Sequence, residues 1–361
     1  MLEKIIKEGE LKVWSLYRDQ LRNEHKLKYL FWECTLRCNF FCKHCGSNAG
    51  VIDSKSKPEL STGEIMKAFE QIAKNFNPKE IFIYVTGGEP LVRSDIFEVM
   101  ERVNKLGFSW GMVTNGFLVN QDIITKMRNA GMSSVVVSID GLKESHDIFR
   151  GVEGSYKAAI DAVKALAGNK FLNSLQITTV VHRDNIDLLE EMYNTFLPLG
   201  ITSWRLMNVE PIGRAEKNKH ILLDSKSIKK LLHFIKEKRK KTTIDISYGC
   251  SGFLGTDFEG AVRARYFICD TGINIASILC NGDIFVCPNV PRIRELIQGN
   301  VKYDNFSEIW YNKFEIFRNK DRTSCQTCKA CAHWSNCLGG SFHLWDFDRQ
   351  APRLCYPYLL S

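Results

Sequence analysis

Between residues 28 and about 240 the chain alternates two patterns: short apolar runs, and longer stretches in which apolar residues return every three or four positions. "KYLFWECT" (28–35), rich in aromatic residues, predicts a first strand. "STGEIMKAFEQIAKNF" predicts the helix after it, opened by a capping box from Ser61 to Glu64 and carrying Ile65, Phe69, Ile72 and Phe76 on one face. "EIFIYVTG" (80–87) is a second strand and "SDIFEVMERVNKLG" (94–107) a helix closed by glycine. The pairing recurs in "SWGMVTNG" with "NQDIITKMRNAG", "SSVVVSIDG" with "GSYKAAIDAVKALAG", and "SLQITTVVH" with "NIDLLEEMYNTFLPLG". "ITSWRLMNV" supplies a sixth strand, followed by a basic helix. Upstream, "MLEKIIKEGELKVWSLYRDQL" mixes charge with apolar positions at helical spacing, an amphipathic helix and not a secretion signal.

Six β–α units with continuous apolar strands predict an α/β fold, a parallel sheet covered by helices. Six units rather than eight predict an open, partial (β/α)6 TIM-like barrel whose ligands lie at the C-terminal ends of the strands. After about residue 241 helical periodicity fades and glycines and cysteines crowd in: Cys250, Cys269, Cys280, Cys287, Cys325, Cys328, Cys331, Cys337 and Cys355. The expected division is a helical segment (1–27), a barrel core (28–240) and a cysteine-rich region (241–361). The last is expected to be short on core and held together by its metal.

The 361 residues are 44% hydrophobic and 25% charged, as in folded soluble proteins, and no run is long and apolar enough for a membrane helix. The net charge of +8 is mild. Much of it falls in "KSIKKLLHFIKEKRKKTT" (226–243), where Leu231, Leu232 and Ile235 form an apolar face, so it reads as a surface helix and not a nucleic-acid footprint. With no secretion signal the expected compartment is the cytoplasm, where 13 cysteines argue for metal and against disulfides.

Cys38, Cys42 and Cys45 crowd the loop after the first strand. Four thiolates would complete a zinc site or a closed iron–sulfur cube, and Cys34 could be the fourth, although strand alternation leaves its direction open. Three would hold a [4Fe-4S] cluster with one iron open to a substrate or cofactor. The spacing C-x3-C-x2-C after a first strand resembles the signature of the radical S-adenosylmethionine (SAM) enzymes. That resemblance implies reductive cleavage of SAM to a 5′-deoxyadenosyl radical that abstracts hydrogen from substrate.

Further motifs at the strand ends support the resemblance. "TGGEP" (86–90) offers Gly87 and Gly88 for close backbone approach and Glu89 for the methionine ammonium. "TNG" offers Asn115 as a polar contact, and "SIDG" offers Ser138 and Asp140, which resemble a ribose-binding pair. Either Arg150, in "HDIFRG", or Arg214, in "VEPIGRA", is implied to hold the methionine carboxylate. His44 is implied to lie against adenine, with a surface histidine as the alternative.

The C-terminal region resembles the SPASM extension of peptide-modifying radical enzymes. Cys269-x12-Gly282-x4-Cys287 forms one half, and Cys328-x2-Cys331-x5-Cys337, then "LGGS" and Cys355, the other. The resemblance implies two auxiliary clusters, usually [4Fe-4S]. One would be held by Cys328, Cys331, Cys337 and Cys355. The other would use Cys269, Cys287 and an upstream cysteine, but Ser341 stands where the family usually has a further cysteine. That cluster could use Cys250 or Cys280, take Ser341 as an oxygen ligand, keep an open iron, or be absent. Cys325 is then spare, and a zinc ribbon is the competing reading of these cysteines.

The resemblance implies maturation of a ribosomally made peptide, with a cross-link, thioether or related oxidation. Its alternatives are formylglycine formation in sulfatases, weakened by Pro288 where those enzymes often place an aspartate, and tetrapyrrole side-chain chemistry. A zinc-binding regulator would have no use for Glu89, Asp140 and the strand-end motifs together. Expected partners are a peptide or small protein, an electron donor such as flavodoxin or ferredoxin, and a separate leader-binding protein. The roughly thirty residues before the first strand are too few for an independent leader-binding domain. Asp283, Asp346 and Asp348 lie near cysteines, with nothing to mark any of them as a general base.

Overall fold

The computed structural model describes residues 2–50, 59–249, 251–319, 321 and 323–360. The six expected strands are β1 (Tyr29–Glu33), β2 (Phe82–Thr86), β3 (Ser109–Thr114), β4 (Ser134–Ser138), β5 (Ser174–Val181) and β6 (Ser203–Asn208). They pair in parallel and in sequence order. β7 (Asp245–Tyr248) extends the array past β6, and β8 (Ile275–Ile278) joins it in parallel beside β1. β9 (Asp283–Phe285) and β10 (Gly299–Asn300) add antiparallel strands, so one open ten-stranded sheet takes elements from both sides of residue 241.

The helices are α1 (Leu2–Glu24), α2 (Thr62–Asn75), α3 (Ile96–Lys105), α4 (Gln121–Asn129), α5 (Lys143–Arg150), α6 (Ser155–Ala167), α7 (Leu189–Phe196), α8 (Ser225–Lys238) and α9 (Phe306–Asn312), with shorter turns toward the C-terminus. The capping box forms as read: the Glu64 amide donates to Ser61 Oγ at 3.3 Å and the Ser61 amide to Glu64 Oε2 at 2.8 Å. The strands, expected to be continuous apolar runs, alternate fully buried and half-buried positions. The buried set packs on helices, as Trp32 does edge-on to Phe69 and Trp204 to Phe196 and Phe234. The half-buried set faces the concave side. There Phe31 stacks on Tyr84, and Thr86, Val113, Thr178, Val180 and Met207 line a cavity. An open barrel leaves that face without a packing layer, which gives the sheet its two textures.

The expectation that the C-terminal region is short on core is corrected. Phe253, Phe267, Ile284, Phe285, Trp310, Phe314, Phe317 and Phe342 are buried in the same apolar cluster as the barrel strands and helices. α1 also belongs to this packing. The Trp14 indole donates to the Phe267 carbonyl at 3.1 Å, and the buried Arg18 guanidinium donates to the carbonyls of Ser335 and Asn336. Truncating Arg18 leaves those acceptors unpaired. Arg18→Ala should therefore cost about 1.5–3 kcal/mol, the range for charged hydrogen bonds, read as a lower denaturation midpoint. An Arg18→Lys chain, which cannot present the same fork, should recover only part of it.

Candidate active site

Parallel pairing puts the C-terminal ends of β1 to β6 along one edge, and the loops that leave them meet there. The cysteine loop after β1 has no regular structure of its own, so its shape is imposed by neighbours. Gly88 N donates to Thr35 O at 2.8 Å and Glu89 N to Arg37 O at 3.0 Å. A Cβ on Gly88 would stand 2.1 Å from Arg37 O, and one on Gly87 2.3 Å from Thr35 O, so both positions require glycine. From the other side Arg214 donates through Nε to Cys42 O at 2.7 Å and through Nη1 to Ala49 O at 2.7 Å, while its own amide donates to Cys45 O at 3.0 Å. Gly213 (φ 53°) makes this approach possible, because a Cβ there would meet Cys45 O at 2.3 Å. Arg214 also lies over the Phe41 ring at 4.1 Å.

Cys38, Cys42 and Cys45 line a cavity of about 250 Å³ with Gly87, Gly88, Glu89, Asn115, Ser138, Asp140, Arg150, Arg214 and His44. The fold thus brings the candidates of the barrel half into one cavity. The Phe40 amide donates to Cys38 Sγ at 3.4 Å, and Arg150 Nη1 reaches Cys42 Sγ at 3.8 Å, contacts that favour sulfur carrying negative charge. Without iron, burial pushes the Cys38 thiol up to about 11 and raises Cys42 despite Arg150. Three soft donors at one cavity wall beside cationic and amide donors fit an iron–sulfur cluster, whose binding would release their protons. Cys34 does not join them: it is fully buried in the apolar core and does not line this cavity.

The remaining polar groups are ordered by burial. Glu89 accepts from Thr114 Oγ1 at 2.8 Å, the Asn115 amide at 2.8 Å and the Leu91 amide at 3.2 Å. Burial raises its carboxyl to about 6 in spite of those donors. Asn115 Nδ2 donates to Asn39 Oδ1 at 2.8 Å, which ties the third loop to the first. Asp140 is wholly buried. It accepts from the Val180 amide at 2.8 Å, pairs with Arg150 at 2.6 Å and stands 3.7 Å from His44 Nε2. Burial works to raise its carboxyl, and Arg150 above all outweighs it and holds it low. Asp140 therefore lines the cavity while paired with Arg150 and set beside His44. His44 is no surface histidine: it stacks on Phe149 at 4.5 Å, and Phe149 on His182 at 3.8 Å. Burial, opposed in part by Asp140, lowers His44 to about 3, so the ring is neutral and suited to stacking.

Sequence reasoning missed two residues here. Glu210, at the end of β6, lines the cavity and pairs through Oε2 with Nε2 of the buried His343 at 2.7 Å. Tyr356 Oη donates to Glu210 Oε1 at 3.2 Å and to Asn208 Oδ1 at 2.9 Å. Glu210 sits in the "VEPIGRA" stretch singled out for its arginine, but His343 is distant in sequence and no spacing links the two. The three aspartates left open as bases fare differently. Asp283 serves a turn with Asn281 and Asn300, Asp346 accepts from the Asp348 and Arg349 amides, and none of the three lines this cavity. Asn289 enters the cavity from the C-terminal region.

The other cysteines fall into separate places. Cys325, Cys328, Cys331, Cys337 and Cys355 line a second cavity of about 590 Å³, joined by Ser341. Burial pushes Cys328 up to about 11 and Cys337 up to about 12, with neighbouring sulfurs adding to both. This set fits a four-thiolate cluster. Ser341 is buried and donates to the Ser251 carbonyl. Cys269 accepts from the Phe342 amide at 3.4 Å, and Cys287 is half-buried against the main core. Cys280, a candidate to complete the first auxiliary set, is placed instead with Leu36 and Ala49 beside Cys38 and Cys45. Cys250 lies outside the described residues.

Residues 32–196 match the Radical SAM superfamily, and residues 269–332 match an iron–sulfur cluster-binding domain, SPASM. An AdoMet-dependent heme synthase of Oleidesulfovibrio alaskensis is 30% identical over 87% of this chain and 82% of its own length. The mycofactocin maturase MftC of Mycolicibacterium smegmatis is 28% identical over 86% of this chain and 77% of its own length. In fold, the chain is similar to anSMEcpe solved with bound AdoMet, with a TM-score of 0.71 and 18% identity over 92% of this chain and 94% of that one.

Two predictions follow from the geometry. In Gly88→Ala the new Cβ must displace the cysteine loop, so reconstituted protein should lose about four irons per chain while keeping its auxiliary iron, measured by iron analysis and electron paramagnetic resonance. In Glu210→Gln the buried His343 loses its counter-charge, at a cost of about 3 kcal/mol. Burial works to lower His343 and Glu210 outweighs it, so the folded value stands above the ordinary one. The pair therefore stabilises fully below about pH 6.5, and the stabilisation is lost as pH rises through the folded value. The stability gap between the two proteins should shrink with rising pH in denaturation curves; a gap that widens would contradict the pairing.

Proposed function

The chain belongs to the radical SAM superfamily, and on that premise we propose that it matures a ribosomally made peptide by forming a cross-link, thioether or related oxidation. Its cofactors are iron–sulfur clusters and SAM. When bound, they supply one-electron cleavage of the sulfonium to a 5′-deoxyadenosyl species that abstracts hydrogen. The chain's own residues hold and orient. Cys38, Cys42 and Cys45 ligate the cluster, kept in place by Gly87, Gly88 and Arg214. Glu89 takes the ammonium and Arg150 the carboxylate of the methionine moiety. Ser138 serves the ribose, Asn115 adds a polar contact, and the neutral His44 ring meets the adenine.

The observation that carries the peptide reading is the charge of the cavity wall. Arg214 is committed to the carbonyls of the cluster loop, and Arg150 to Asp140 and, in this reading, to the methionine carboxylate, so neither is left for a substrate carboxylate, while Glu210 brings a carboxylate to the lining. Such a wall favours a neutral or cationic side chain over a substrate bearing several carboxylates. The likeness to a mycofactocin maturase supports the same class. The likeness to a heme synthase favours a second reading, a carboxylated tetrapyrrole. We place the reaction in the cytoplasm, where thiols stay reduced, with flavodoxin or ferredoxin as electron donor and a separate protein for leader binding.

The test is 5′-deoxyadenosine release by anaerobically reconstituted protein with SAM and a strong reductant. The wild type should release it, and the variant with Cys38, Cys42 and Cys45 all changed to Ala should not. Peptides encoded beside the gene should stimulate release and emerge with altered mass. Stimulation by a carboxylated tetrapyrrole and by no peptide would overturn the peptide reading in favour of the second.

A further inference from the structure

The C-terminal cavity is lined by five thiols: Cys325, Cys328, Cys331, Cys337 and Cys355. A closed four-iron cube takes four thiolates, so this wall holds one sulfur more than the cube needs. The surplus sulfur is close by. The Cys328 amide donates to Cys325 Sγ at 3.3 Å. Cys325 and Cys331 flank Cys328 at the same sequence spacing, one on either side. Of the five, Cys331 is exposed and the others are half-buried. Cys331 Sγ accepts from the His333 amide at 3.5 Å, a contact that does not depend on iron.

We propose that Cys325 is a ligand of the auxiliary cluster, exchangeable with Cys331, alongside Cys328, Cys337 and Cys355. Cys328, Cys337 and Cys355 hold three irons in either arrangement, and the fourth iron is met from one side or the other of Cys328. The exchange moves that iron between a half-buried and an exposed thiolate. Solvent exposure and hydrogen bonding at the sulfurs are among the factors that set a cluster's potential, so the two arrangements are not equivalent. The simpler role for Cys325, accepting an amide at the start of the short helix Gln326–Lys329, needs only a hydrogen-bond acceptor, and serine would supply it.

That difference sets the experiment. In the full chain with Cys38, Cys42 and Cys45 changed to Ala, so that auxiliary iron alone is read, three variants are reconstituted: Cys325→Ser, Cys331→Ala and the two combined. Iron and sulfide are counted, and three-iron species formed on mild oxidation are read by electron paramagnetic resonance. The proposal expects each single variant to match its parent. The combined variant should lose about four irons per chain or yield a three-iron signal that the parent lacks. A single variant as damaged as the combined one overturns the exchange, and so does a combined variant that keeps its iron and gains no signal. If the parent will not fold, the same three changes are made with the radical-core cysteines intact and judged by the iron lost relative to that chain. None of these readouts depends on the identity of the substrate.

Discussion

The fold of the active site depends on how a loop without secondary structure is made rigid. Cys38, Cys42 and Cys45 have to stand at one wall of a cavity, yet no helix or strand fixes their backbone. The carbonyls of Thr35, Arg37, Cys42, Cys45 and Ala49 are each bound from outside, by the amides of Gly88, Glu89 and Arg214 and by the Arg214 side chain. Those donors come from the ends of β2 and β6, on opposite flanks of the loop. A carbonyl left dry and unpaired costs a large part of a domain's stability. The loop is therefore held by the need to satisfy its own backbone. The glycines at 87, 88 and 213 are the steric condition for that arrangement.

A second constraint follows from the open barrel. The concave face of the sheet has no packing layer, and its half-buried residues form a wall that the C-terminal region completes. β8 pairs with β1, which brings the chain after β9 to the rim with Asn289, while His343 reaches Glu210 from the far side. A buried ion pair between distant segments is a poor source of net stability but strongly disfavours separation, because either partner alone is an unpaired buried charge. The pair thus keeps the two halves of the chain in one register around the cavity.

Much of this was legible in sequence where the signal is local. Capping at Ser61, the six β–α units and the motifs at strand ends depend on neighbouring residues, and all were recovered at their expected places. What was not legible is set by long-range pairing. Nothing in the run around Ile275 says that it will lie beside β1. Without that, the aromatic residues after 250 look like isolated apolar positions and not the continuation of one core. Cys34 and Cys280 show the same limit. A cysteine's sequence spacing does not reveal which face of a strand or turn it occupies, and these two are packed into apolar surroundings.

Placement of charge ties these levels together. Asp140 is the most deeply buried carboxylate of the cavity wall, and its negative charge persists because Arg150 lies against it. Arg150 in turn lies against Cys42, so one guanidinium compensates a carboxylate and a sulfur at once. On the opposite rim Glu210 is compensated by His343, from the C-terminal region. Asp140 and Glu210 are thus held by different means, one from within the barrel and one across the seam. Only the second depends on how the C-terminal region is seated, so any shift of that region changes the charge met by a substrate beside Glu210 and leaves the cluster loop's own anchors in place.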